Sequence, residues 1–514
     1  MAIVPMATVS ALQTFRMDFY TLATVLLVIL ITSILAKYRM MLMQRSELPP
    51  GPTPLPIIGT LHKMNLSDMV KSFQNLSKTY GDIFTVYEGS QPVIVLCSYK
   101  AIKETFIDKS DEFSGRGDYP TFMDFTKGED FAFSNGEKWK ELRRFSMQML
   151  GNFGVGKRSF EERIREEVRH LTDLLRKANG SPIDPNYPIL RSVSNVICSV
   201  VIGNRFEYED ENFQNVVKCI QDNFRLMSTR WGVLYNIYPN FMKYLPGPHR
   251  KIMENFASMA DFIRKKLVNN MKTLDSNNPR DFIDCFLIKM EKEGKNEATF
   301  FNPDTLVMCS LVLFFGGTES VSATLRYTLL LLMKYPNVAE KVYSEIDNVI
   351  GQRPAQFEDR FNMPYTEALI YEVQRYADVV PLALPHELIM DTQIRDYKFK
   401  KGTVFTPVLT AAHYDNIQFK NPENFDPNNF LAENGKLLKK EALMPFSERE
   451  YAPARAWQVW SSSSILPYYC RTSQSSHRCP LRRSQLLQWE LGLDTFLQAL
   501  RYVFYPVHVL QNNL

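Results

Sequence analysis

The chain has 514 residues, 45% of them hydrophobic and 23% charged, with a formal net charge of +4. That charge is too small to argue for a nucleic-acid partner, and the apolar share can fill a sizeable core. Seven cysteines, at 97, 198, 219, 285, 309, 470 and 479, lack paired spacing, which fits a reducing compartment better than a disulfide framework.

Phe19 to Ala36 is a run of 18 residues without a charge, at the short end of what crosses a bilayer. A signal peptide is the rival reading, but no small-residue cleavage site precedes the bulky, basic Lys37-Tyr-Arg-Met-Met41. Lys37, Arg39 and Arg45 follow the run, whereas Arg16 alone precedes it. The positive-inside bias therefore makes 19–36 an anchor, with residues 1–18 across the membrane and the body on the cytosolic side. Residues 37–56 form a basic stop followed by the proline-rich Leu48–Pro56, which favours a stiff extended hinge over a helix.

Length alone suggests about three domains. No Gly/Ser-rich linker or internal repeat occurs before residue 447, so residues 57–447 are expected to form one large, mainly helical domain. Thr85–Gly89 and Pro92–Cys97 are rich in β-formers around Gly89-Ser-Gln91, which predicts a small hairpin. Apolar residues recur at helical spacing from Trp139 to about Lys177, and again from about Asp304 to Tyr376, where Pro336, Gly351 and Pro354 punctuate the pattern. Short β-like pieces return at Thr392–Ile394 and Thr403–Thr406.

Several motifs rise above this background. Trp139-Lys-Glu-Leu-Arg143 offers an indole N–H and a guanidinium, donors suited to carboxylates; taken singly, such a pair is ordinary core and surface. Asn302-Pro303-Asp304 is a helix start, with a capping side chain, an early proline and a carboxylate on the positive helix end. Gly316-Gly317 interrupt the apolar helix that follows, and Thr318-Glu319-Ser320 add an acid and two hydroxyls. A bare Gly-Gly also reads as close helix packing. Glu372-Val-Gln-Arg375 sets a carboxylate and a guanidinium one turn apart. Glu141/Arg144, Glu162/Arg165 and Glu166/Arg169 share that spacing and read as solvated faces. Lys138, Lys140 and Arg144 form a basic group beside Trp139.

Taken in order, these motifs resemble the cytochromes P-450, the haem-thiolate monooxygenases, from the proline-rich hinge to Ser447. The stretch from Ser114-Gly-Arg-Gly117 through Phe133–Trp139 to Phe153-Gly-Val-Gly-Lys157 is similar to the vertebrate family-2 microsomal enzymes. The resemblance implies a mainly α fold with a small β region behind a transmembrane helix, in the endoplasmic-reticulum membrane with a lumenal N-terminus. It implies haem b, electrons from NADPH through a flavoprotein reductase, cytochrome b5 as a further partner, and insertion of one oxygen atom into a lipophilic xenobiotic, fatty acid or steroid. By that resemblance Gly316 and Gly317 open the helix beside the iron, and Glu319 and Ser320 relay protons, serine standing where threonine is more usual. Arg116, Trp139, Arg143 and His386 hold the haem propionates. Glu372 and Arg375 lock the Phe425–Phe430 segment beneath the ring. Tyr119–Phe125, Leu313–Phe315 and Val380–Leu384 supply substrate contacts, and the basic group beside Trp139 is a candidate surface for the reductase.

The metal ligand is the exception. Phe446-Ser447 opens the loop that carries a cysteine thiolate in this family, yet residues 448–455 contain no cysteine. Residues 448–514 depart from the pattern, with three of the five tryptophans and the run Ser461–Ser464. Joining the third base of each codon to the first two of the next lets Ser447–Arg455 spell Gly-Lys-Arg-Ile-Cys-Pro-Gly-Glu, and Val459–Ser464 spell Met-Glu-Leu-Phe-Leu. A frame slip or splice-junction error is the reading, and no metal ligand is assigned. Cys470, His477 and Cys479 lack a fourth partner and make a poor zinc site. The rival function is a catalytically inactive, membrane-anchored remnant or an unstable product.

Overall fold

The computed structural model describes residues 6–152, 158–177, 184–294, 296, 298–351 and 353–445. The tail from 446, with its altered loop and Cys470, His477 and Cys479, lies outside the described residues, as does Phe153–Lys157.

The N-terminal helix, Met6–Gln44, continues past the anchor expected at 19–36. No proline or glycine lies between Phe19 and Gln44, and basic side chains do not break a helix, so Lys37–Arg39 remain within it. Between Tyr20 and Met40 its apolar residues are largely bare: Leu22, Leu26, Ile29 and Leu35 are each more than half exposed, whereas Met41 is buried against the body. The helix ends in a 3-10 turn at Arg45–Glu47, and the proline-rich segment then docks on the body. There Thr85 donates its backbone N–H to Pro50 O at 2.9 Å and its hydroxyl to Pro49 O at 2.8 Å.

The body is mainly helical with a small sheet to one side. Strands β1 (Ile83–Glu88) and β2 (Gln91–Leu96) form the predicted hairpin, closed by Gly89 and Ser90, with Gly89 at φ 64°. With β3 (Gly115–Arg116), β4 (His386–Glu387), β5 (Thr392–Ile394), β6 (Tyr397–Phe399) and β7 (Val404–Pro407), the main sheet has the order β1-β2-β7-β4-β3, and β5-β6 form a separate pair. The β3–β4 pairing sets Arg116 opposite His386, residues distant in the chain.

Pro303–Lys334 is the central helix. It is long and apolar enough to cross a membrane, but most of it is buried inside the body, as expected of a helix that is hydrophobic all round. Asn302 caps its start, accepting Thr305 N–H at 2.9 Å. The Asn186–Val201 and His249–Lys272 helices pack against it, and aromatic side chains fill the space between: Phe122 stacks on Phe133 at 4.4 Å and Phe224 on Phe315 at 4.2 Å. The helical pattern predicted from Trp139 to Lys177 becomes two helices, Gly136–Asn152 and Arg158–Lys177.

Candidate active site

A cavity of about 570 Å³ lies beside the middle of the central helix, within the size range of small-molecule sites. Gly316, Gly317, Glu319 and Ser320 line it. A Cβ placed on Gly316 would meet nothing within 4 Å, so this glycine faces open space and does not serve close helix packing. Ser320 donates its hydroxyl to Gly316 O at 2.9 Å, bonding back along the helix in the way that slightly loosens it.

Glu319 is buried, and Arg326 pairs with its Oε1 at 2.5 Å. Arg326 also reaches Asn186 on the neighbouring helix. The other oxygen, Oε2, is buried with no hydrogen-bond partner. One oxygen is thus fixed from the protein interior, and the second is left without a donor among the described residues.

Arg116 and Arg143 line another part of the same cavity. Asn135 clamps the backbone of Arg116, accepting its N–H at 2.6 Å and donating to its carbonyl at 3.1 Å. The Arg116 Nε donates to Ala132 O at 3.1 Å, and its NH1 donates to His386 Nε2. Phe113 O lies 2.7 Å from His386 Nδ1, so that nitrogen carries the proton and Nε2 accepts. His386 therefore stands behind Arg116 rather than on the cavity wall. Trp139 is 8% exposed, the Arg143 guanidinium lies 5.5 Å from its ring centroid, and its Nε1 is buried without a hydrogen-bond partner. Trp139 is not itself on the cavity wall, but its orphaned indole N–H lies beside Arg143, and Arg143 and Arg116 line the cavity; donors so placed fit an anionic edge of a bound group such as the propionates of haem.

The substrate-facing segments are only partly as expected. Tyr119, Phe122, Leu313, Phe315 and Val380–Leu384 line the cavity, whereas Phe314 is 1% exposed and turned into the core. Phe224, Asn236 and Glu88 also line it; Glu88 was legible only as part of the expected hairpin, and no sequence signal singled out Phe224 or Asn236.

Glu372 and Arg375 are both fully buried. Arg375 donates to Glu372 at 2.8 and 2.7 Å, and to the carbonyls of His413, Pro422 and Asn424 at 3.0, 2.7 and 3.0 Å. Glu372 Oε1 accepts Asp426 N–H at 2.8 Å. The pair thus holds the Phe425–Phe430 segment by its backbone. Of the pairs read as solvated, Arg165 instead pairs with Glu161 and is only 26% exposed, because it also reaches Ala355 O. Lys138 is tied to Glu129 at 2.6 Å with its side chain 21% exposed, which withdraws it from a free basic surface. Among the described residues no group of three or more His, Cys, Asp or Glu could hold a metal ion, and Cys97, Cys198, Cys219, Cys285 and Cys309 are free thiols.

Comparison with known proteins extends this geometry. The family model described as Cytochrome P450 matches residues 49–448. The chain is 52% identical to "Cytochrome P450 2F2" of Mus musculus over 404 residues, 78% of this chain and 82% of that protein. It is 46% identical to "Cytochrome P450 2F1" of Homo sapiens over 428 residues, 83% and 87% of the two chains. "Cytochrome P450 2C8" of Homo sapiens is 48% identical over 405 residues, 79% and 83%.

Proposed function

Since the chain belongs to the cytochrome P450 family and is by lineage a family-2 monooxygenase, we propose that its cavity holds haem b and a lipophilic substrate beside Gly316–Ser320. The observation that carries this reading is the single cavity with Glu319 and Ser320 on one wall and Arg116 and Arg143 on another. Haem supplies the activation of dioxygen, with electrons from NADPH through a flavoprotein reductase. Arg116, Trp139 and Arg143 hold the propionates, with His386 orienting Arg116. Gly316 and Gly317 leave the space. Glu319 Oε2 takes up and passes on a proton while Arg326 keeps Oε1 in place, and the Ser320 hydroxyl delivers it after turning from Gly316 O. The aromatic wall around Phe122, Phe224 and Phe315 excludes water and favours apolar substrates.

In a frame-restored version, Ser320→Ala is expected to lower product per NADPH by about tenfold, because general acid–base groups commonly contribute more and Glu319 remains. Peroxide should rise in proportion, with haem content unchanged. Unaltered coupling removes Ser320 from the relay.

The body is assigned to the cytosolic face of the endoplasmic-reticulum membrane, with cytochrome b5 a further partner. The bare apolar face of the N-terminal helix supports the anchor. Deleting residues 1–36 should move most of the protein from the membrane pellet to the supernatant. Glycosylation of a C-terminal acceptor tag would reverse the topology.

For the chain as it stands, a second reading has its own support. Residues 448–455 contain no cysteine, and the family match stops at 448. We infer that this polypeptide carries the scaffold of the monooxygenase without its thiolate ligand.

A further inference from the structure

The charged residues on the cavity wall are Glu88, Arg116, Asp118, Arg143 and Glu319. Arg116 and Arg143 face the propionate edge, Glu319 is paired with Arg326, and Asp118 is exposed at the rim. Glu88 is left over. It is the last residue of β1, and its backbone is held by pairing with Gln91 and by a bridge to Gly59, so its place on the wall is set by the sheet. Among the described residues none hydrogen-bonds or ion-pairs with its carboxylate. Burial pushes this carboxyl up to about 7. Tyr119 and Tyr238 lie near enough to feel its charge, and both phenols are raised further by burial, so they stay neutral. Gln91 and Asn236 are among the uncharged polar residues that line the same cavity.

A carboxylate partly withdrawn from water in an apolar cavity, without a protein cation, is costly unless a ligand compensates it. We propose that the cavity selects lipophilic molecules bearing a protonated amine, with the Glu88 carboxylate as the group that holds the ammonium. This rests on the cavity being the substrate site, and it narrows the substrate class from lipophilic compounds in general to lipophilic amines. The sign with pH follows. An aliphatic amine is cationic across the neutral range, while Glu88 is ionised above about 7 and protonated below it. Attraction is therefore present on the alkaline side and lost as the pH falls.

The test uses the full chain in nanodiscs of zwitterionic lipid, with displacement of a neutral, environment-sensitive dye as the readout and empty discs subtracted. The probes are a phenylalkyl dimethylamine and its neutral isostere, in which a methine replaces the nitrogen. At about pH 8.5 the amine should bind at least about tenfold more tightly than the isostere, and at about pH 5.5 the preference should disappear. Glu88→Gln should abolish the preference while leaving isostere binding intact, which also reports that the variant folds. Glu88→Lys should invert it, and Asp118→Asn should leave it standing. Equal binding of both probes by the unaltered chain, or a preference that survives in Glu88→Gln, overturns the role of Glu88 and leaves a lipophilic cavity. Failure of both probes and the dye to bind overturns the cavity as a substrate site as well.

Discussion

Replacing Arg375 with leucine is expected to leave almost no folded protein. Removing one partner of a buried ion pair costs about 3–5 kcal/mol, and folded chains hold only about 5–15 kcal/mol in reserve. Here the loss is compounded, because Glu372 becomes an uncompensated buried carboxylate and three carbonyls lose their donor at once. Leucine at both 372 and 375 should recover only part of the loss. It removes the stranded charge, but Asp426 N–H and the carbonyls of His413, Pro422 and Asn424 remain without partners. Arg264→Ala breaks an exposed pair with Asp261 and should shift stability by no more than about 0.5 kcal/mol. Soluble yield and thermal unfolding of the three variants check the order. Folding of Arg375→Leu at the level of Arg264→Ala would remove the pair from its structural role.

This example also marks what sequence can and cannot reveal. Glu372/Arg375 has the same spacing as Glu141/Arg144, and the local pattern does not separate a buried lock from a solvated pair. Its position after the Gly-Gly helix and before Phe425–Phe430 did separate them, and the carbonyl bonds explain why order was informative. The central helix was legible because its cap, its early proline and the apolar runs on either side of Gly316–Ser320 agree. The hairpin was legible from β-formers flanking Gly89. The counter-charge for Glu319 was not: Arg326 lies seven residues on, and only the approach of Asn186 from another helix makes the arrangement visible. The relation of His386 to Arg116 depends on the register of β3 against β4, a long-range pairing that local propensity does not encode. Glu88 was read as part of a hairpin, because its significance lies in the cavity that other elements close around it.

The largest chemical effect is expected at the ligand loop. In this family a cysteine thiolate pushes electron density toward iron and favours O–O cleavage, and no residue from 448 to 455 can provide that sulfur. On the proposed frame slip, a restored chain would carry a cysteine-containing segment in place of Glu448–Arg455, without touching Arg116, Trp139, Arg143 or the Gly316–Ser320 wall. The two chains should therefore share the cavity and differ in the metal ligand. The decisive measurement is the reduced carbon-monoxide difference spectrum of both, expressed side by side with haem content determined independently. The thiolate band is expected only in the restored chain, with the chain as written showing none even where haem is retained. A full thiolate band from the chain as written, at equal haem occupancy, would contradict the account and require Cys470 or Cys479 to serve as the ligand.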